Sequence, residues 1–301
     1  MTAHQRQARL LLAMPVVFVL IWSTGFIVAR YGMPHAPPLG FLSWRYALSV
    51  LVFLVWIRLS GAAWPTDRRQ WLHLGIVGLG VHAGYLGGVW AAVKGGMGAG
   101  TAALIVGLQP VLTALWVSAM GTERRITARQ WLGLALGLAG LLLVVWRKLG
   151  LGEVTAGNLA LGVFALLSIT AGTLYQKRFV KPCDVRTANT VQLMAAFAVT
   201  APLALFETAS FNLHPELIGA MAWSVLVLTL GGSSLLYLLI QRGAATAVTS
   251  LLYLVPPCTA VMAWILFAEQ LTAPVLGGLA LTAAGVWLVV RAPSPQPKET
   301  A

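Results

Sequence analysis

Ten stretches of this chain, each 17 to 25 residues long, run almost without charge: 10–31, 40–58, 71–93, 98–120, 130–146, 158–176, 187–206, 217–241, 245–268 and 274–290. A helix crosses the hydrocarbon core of a bilayer with about 20 apolar residues. Lipid offers backbone groups no hydrogen-bond partner, so only helices and closed barrels can span it. Barrel strands would be about ten residues long and alternate in polarity, and no such pattern is present. Charged residues make up only 9% of the 301, against about 25% in soluble domains. Spans of this number use about 200 residues, which leaves loops and tails but no separate domain. A soluble enzyme, a secreted disulfide scaffold and a nucleic-acid-binding domain are excluded on these grounds.

The first stretch follows a short basic start, as a signal peptide would. It is too long for one, and it is read as a retained helix. Charge sets the orientation. With the N-terminus in the cytoplasm, 15 of the 20 Lys and Arg fall inside; Arg30, Lys94, Arg147 and Lys148 fall outside, and Arg45 lies within the second span. The eight acids divide evenly between the two sides, so the inside carries +11 and the outside zero. This positive-inside bias predicts both termini in the cytoplasm and accounts for nearly all of the formal +12. Nucleic acid is therefore not an expected partner. Cys183 and Cys258 fall in a cytoplasmic loop and within the ninth span; two thiols so placed predict neither a bridge nor a zinc site.

The chain also repeats itself. Pro110 and Pro256, Thr113 and Thr259, and Glu123 and Glu269 each stand 146 positions apart. After a one-residue gap, Thr127 matches Thr272, Gly133 matches Gly278 and Gly140 matches Gly285. Thr24 aligns with Thr170 at the first offset. Each unit holds five spans, an odd number, so the second must cross the membrane in the opposite sense. The expected fold is an all-α integral membrane protein of ten transmembrane helices, two inverted five-helix repeats over 1–149 and 150–292, N-in and C-in, with a tail at 293–301. Inverted repeats are the architecture of secondary transporters, with substrate held near the midplane.

Trp22-Ser-Thr-Gly25, Trp44-Arg45, Gly100-Thr-Ala-Ala-Leu104, Gln109-Pro110, Glu123 with Thr127, and their second-half counterparts through Pro256, Glu269-Gln-Leu-Thr272 and Gly285 give a further reading. Together with the ten spans they make the chain resemble the EamA-type families of the drug/metabolite transporter superfamily, and among them the YddG-type amino-acid exporters. The resemblance covers almost the whole chain. It implies export of amino acids or related small metabolites across a bacterial inner membrane.

Polar side chains are costly in lipid and should face the bundle interior or a water-filled cavity. In the third span, Gly80, Gly84 and Gly88 form a small-residue packing stripe, and His82, Tyr85 and Val89 fall on the opposite face, with Trp90 beyond. His82 lines a cavity or bonds a neighbouring carbonyl. Trp22 and Thr24 sit mid-span, where Thr24 either meets substrate or bonds the preceding turn. Arg45 either binds a substrate carboxylate or snorkels to the outer interface. Gln109, Ser168, Tyr175, Tyr237 and Tyr253 complete the candidate substrate-binding set, and Ser233, Ser234 and Gln192 supply further neutral polar groups. Pro110, Pro256 and Pro257 are expected to kink their helices or to act as gating hinges. Thr127 with Gln130 has capping-box spacing, and Glu123, Glu269 and Thr272 are read with it as helix-starting residues.

No acid lies near the centre of any span. Ion-driven carriers keep such a residue as relay or ligand, so uniport is expected, with His82 the only mid-membrane titratable group. Tyr and Trp walls with neutral polar groups suit neutral and aromatic amino acids; nucleobases, sugars and drug-like metabolites are the alternative cargo. No metal, cofactor or catalytic residue is expected, and a monomer is the expected state. A membrane-embedded enzyme and a channel are the rival classes. The chain lacks His-Glu-x-x-His, Gly-x-Ser-x-Gly and a P-loop,.

Overall fold

The computed structural model describes residues 3–119, 127–241 and 254–290. The readings placed on Glu123, on Tyr253 and on the tail at 293–301 fall outside them. The described residues form helices and short connections, with no strand among them. In chain order the helices are α1 (Ala3–Gly32), α2 (Pro38–Ser60), α3 (Arg68–Lys94), α4 (99–119), α5 (Ala128–Gly150), α6 (Ala156–Phe179), α7 (Val185–Ala204), α8 (215–241), α9 (Val255–Phe267) and α10 (Ala273–Val290). Six of them carry segments long and apolar enough to cross a membrane: Pro38–Ser60, Arg68–Lys94, Ala99–Trp116, Ala128–Gly150, Ala156–Phe179 and Pro215–Leu239. Val16–Gly32, Val255–Phe267 and Ala273–Leu288 are shorter apolar helices. Their outer faces expose large apolar side chains, Trp44, Leu51, Val55, Leu138, Leu142 and Trp146 among them. A surface of that kind calls for lipid.

Local chemistry sets the helix ends. Asp67 and Asp184 accept from the amides of Arg69 and Arg186 at the starts of α3 and α7. Arg186 also grips the Asp184 carboxylate from its side chain, and this holds the acid below the ordinary carboxylate range. Thr127 and Gln130 close a full capping box on α5, as their spacing predicts, and Thr155 with Asn158 closes another on α6. Thr272 has no such partner. The position three residues on is the apolar Val275, and the Thr272 hydroxyl is buried without a hydrogen bond. Glu269 departs from the helix-starting reading as well: its carboxylate accepts from the Ala99 amide at 2.9 Å, so it caps the distant α4 and not α10. Glu207 does the same for α2, accepting from the amides of Leu39 and Gly40 at 3.0 and 2.8 Å. A carboxylate suits the positive end of a helix dipole, and α2 has no cap of its own.

Two helices contain π segments, Leu79–Gly84 in α3 and Ser224–Ser233 in α8. In α4 the helix breaks at Gly107–Leu108, between Ala99–Val106 and Gln109–Ala119. Pro110 thus interrupts the helix a turn ahead of itself, because its ring crowds the carbonyl four residues back. The ring of Pro256 rests against the break so closely that a Cβ at Gly107 would stand 2.5 Å from it. Pro256 and Pro257 themselves lie in the first turn of α9, where a missing N–H costs nothing.

The helices pack in pairs: α5 on α10, α2 on α7, α3 on both α6 and α7, α4 on α9, and α1 on α8 and α9. The α3 glycine stripe lies on α6, with Gly80 against Gly172 and Gly88 against Leu161 and Ala165. Backbone meets backbone at the α5–α10 seam. A Cβ on Gly140 would stand 2.5 Å from the Gly278 carbonyl oxygen, and one on Gly285 2.4 Å from that of Gly133.

Candidate functional site

Between α1, α2, α3 and α8 lies a cavity of about 450 Å³. Trp22, Gly25 and Phe26 come from α1, Arg45 from α2, Val81, His82, Tyr85, Leu86, Val89 and Trp90 from α3, and Leu228 and Ser233 from α8. Five of the sequence-predicted residues therefore meet here: Trp22, Arg45, His82, Tyr85 and Trp90. The α3 segment turns His82 and Tyr85 inward because its glycine face is occupied by α6.

Arg45 is only 3% exposed. The snorkelling alternative is therefore replaced: Trp44 faces outward, 59% exposed, and the guanidinium next to it points into the bundle. Its Nε donates to Thr229 Oγ1 at 3.0 Å, and its Cζ lies 6.0 Å from the centre of the Trp90 ring. No carboxylate pairs with it among the described residues, and none lines the cavity. Arginine stays charged in proteins, and a buried charge without a counter-ion is costly. The cavity thus offers an unneutralised cation to whatever enters it.

Aromatic rings form the rest of the wall. Trp22 and Tyr85 lie parallel, 2° apart with centroids 6.1 Å apart, and Phe41 backs Trp90 at 4.5 Å. The Tyr46 phenol donates to the His82 carbonyl at 2.8 Å and fixes the π segment from α2. His82 Nε2 and the Gln192 side-chain nitrogen are both buried without a hydrogen-bond partner. Thr229, which the sequence reading did not single out, holds Arg45 in place. Its hydroxyl in turn donates to the Ser224 carbonyl five residues back, a reach that the π coil provides. The one available cue was its place in Thr229-Leu-Gly-Gly-Ser-Ser234, a polar patch in an apolar helix.

Other candidates lie elsewhere. Thr24 donates to the Ile21 carbonyl and accepts from Trp223 on the exposed side of α1. Gln109 donates to Thr173, and Ser168 sits under Gly84 in the α3–α6 contact. Tyr175 bonds His73 at 2.8 Å, and Tyr237 meets Cys183 at 2.9 Å near the end of the bundle that carries the Lys181 and Arg186 connection. A second cavity of about 330 Å³ lies between α4, α5, α9 and α10. Its two charged groups are already engaged, Lys148 with Glu153 at 2.6 Å and Glu269 with the α4 amide.

A polytopic helical bundle around an aromatic cavity with one buried cation is the form of a small-solute transporter. The chain matches the EamA-like transporter family model over residues 9–146 and again over 157–291, and it belongs to that family. It is 24% identical over 285 residues to a probable amino-acid metabolite efflux pump of Salmonella typhimurium, covering 91% of this chain and 93% of the relative. It is 26% identical over 249 residues to the uncharacterized inner membrane transporter YedA of Escherichia coli K12, covering 81% and 78%. A solved crystal structure shares the fold with a TM-score of 0.67 at 18% identity, over 92% of this chain and 95% of the other. The protein is thus a multi-pass inner-membrane transporter and not an enzyme, with a small-molecule substrate and lipid around it.

Proposed function

We propose that this transporter exports neutral and aromatic amino acids, or closely related small metabolites, by alternating access. The observation that carries the proposal is Arg45, a buried guanidinium braced by Thr229 in an aromatic cavity with no carboxylate of its own. A free carboxylate supplies the missing counter-ion with a charge-assisted hydrogen bond. The Trp22–Tyr85 stack then takes an apolar or aromatic side chain. A phosphorylated metabolite would call for more than one cation.

Two oppositely inserted halves, five helices each in a set of ten spans, are the moving parts in this reading. Several features support it. The family model matches twice in succession. The π segment of α3, shifted by 146 positions, falls inside that of α8. The α3–α6 contact has its counterpart in α8–α1, while α2–α7, α4–α9 and α5–α10 each pair a helix with its own repeat. The charge bias favours both termini inside. The absence of an acid from the cavity wall favours uniport down the substrate gradient.

Counterflow in proteoliposomes with labelled amino acids, nucleobases and sugars tests the proposal. Exchange of tryptophan, phenylalanine and leucine is the expected result; exchange of sugars or nucleobases with no amino-acid exchange overturns it. An imposed pH gradient should leave the initial rate unchanged, and a strong dependence that survives His82→Ala contradicts uniport. Accessibility labelling should place Lys177 and Gly150 on opposite sides of the membrane; finding both on one side removes the inverted topology.

A further inference from the structure

The sequence reading expects no metal, and the three residues that bear on this lie far apart in the chain. His35 is in the connection between α1 and α2; His214 is the N-cap of α8, and Glu216 is in its first turn. The fold brings them together. The His35 and His214 rings stack 9° from parallel with centroids 4.3 Å apart. Glu216 Oε2 stands 3.0 Å from His35 Nε2 and 3.8 Å from His214 Nδ1, and one donor atom from each of the three lies within 4.8 Å of the others. The connections are pinned besides: the Asn212 amide donates to the His35 carbonyl at 2.8 Å, and Lys94 donates to the carbonyl of Met33 at 2.7 Å. The His35 side chain is 15% exposed, while His214 and Glu216 are near 45%. One donor is therefore held by packing and two remain open to solvent.

We propose that His35, His214 and Glu216 form a binding site for a divalent first-row transition metal of the zinc type on this face of the transporter. Two imidazoles and a carboxylate are a ligand set such ions accept, with water in the fourth position. Donors at 2.0–2.1 Å around a tetrahedral ion stand about 3.3 Å apart, so the observed spacings need only small side-chain rotations. Stacked imidazoles disfavour protonation of both rings, and metal ligation likewise requires them neutral. The ion would displace one weak contact, the 3.3 Å hydrogen bond from the Glu216 amide to His214 Nδ1.

Binding clips the α1–α2 connection to the start of α8. If the halves move as proposed above, that clip holds them on this side and slows transport; the binding itself does not depend on that reading. Titration of tag-free, metal-free full-length protein in detergent with Zn²⁺, followed by calorimetry and by the visible spectrum of the Co²⁺ form, tests the site. One ion per chain is expected. His214→Ala and Glu216→Gln should each weaken binding by about 100-fold, beyond the 10- to 100-fold that losing an outer-shell partner costs. Zn²⁺ should raise the melting temperature of the wild type and not that of the variants. Absence of stoichiometric binding by the wild type overturns the proposal, and so does unchanged binding by both variants. Both substituted side chains are half-exposed, and the wild-type titration stands whether or not a variant folds.

Discussion

The α5–α10 seam and the cavity use the internal repeat in opposite ways. At the seam the matched positions keep the same residue. Gly140 meets Gly278 and Gly285 meets Gly133, and the second contact is the first with both partners exchanged for their repeat mates. At the cavity the matched positions differ. The residues 146 places after Trp22, Arg45, His82 and Tyr85 are Ser168, Val191, Leu228 and Gly231. The wall from α1 to α3 carries the charge and the rings, while α8 contributes Leu228, Ser233 and the bracing Thr229, whose own mate is Ala83. Close helix packing tolerates only one solution and keeps it twice. Recognition needs one cation and not two, since a second would repel the first and the cargo's ammonium.

If this contrast is right, Arg45→Gln has the largest effect. Loss of a charge-assisted bond of about 1.5–3 kcal/mol should weaken the apparent affinity for amino acids by tenfold to about 100-fold in counterflow. Val191→Thr at the matched position should stay within about twofold, on the scale of ordinary surface changes. Equal effects at the two positions would erase the asymmetry. At the seam the expectation is equality: Gly140→Ala and Gly285→Ala should each cost about 1–3 kcal/mol of overpacking, read as lowered melting temperatures in detergent. Gly150→Ala and Gly219→Ala, where a Cβ meets nothing within 4 Å, should change little. One seam variant as stable as wild type would show that the two contacts are not equivalent. Trp22→Ala comes next, with about tenfold weaker affinity for aromatic cargo from the lost ring contact of about 0.5–1.5 kcal/mol and a smaller loss for aliphatic cargo.

Asp184, in neither region, serves as the control. Its folded-state titration is depressed by Arg186, so its contribution is present above the unfolded carboxylate range and is lost as pH falls through the folded value. The stability difference between wild type and Asp184→Asn, small because the pair is largely exposed, should be full near neutral pH and vanish in strong acid. A difference that grows on acidification has the wrong sign for this pairing.

Length and apolarity made the helices legible, because a bilayer leaves the backbone few alternatives. The inward face of α3 was legible too, since a glycine stripe leaves the opposite side for His82 and Tyr85. The rest was hidden for physical reasons. A π coil has no compositional signature, so neither the reach of Thr229 nor its hold on Arg45 could be read from spacing. Tyr175 and Tyr237 were grouped with the cavity by residue type, yet Tyr175 directly precedes Gln176-Lys177-Arg178 at a helix end, and depth along the helix was the better guide. Glu269 looked local to α10 because nothing in one dimension tells which helix end a loop carboxylate will reach.

The widened coil in α8 has one more consequence. Five-residue hydrogen bonding accommodates an extra residue per turn, so Ser224–Ser233 behaves like an insertion already absorbed. Deleting one residue there would let the helix return to ordinary winding but rotate everything beyond it by about 100°. Tyr237 and Leu239, now inward, would swing toward lipid. Length changes in this stretch therefore act on the molecule as a phase shift, and side-chain substitutions do not.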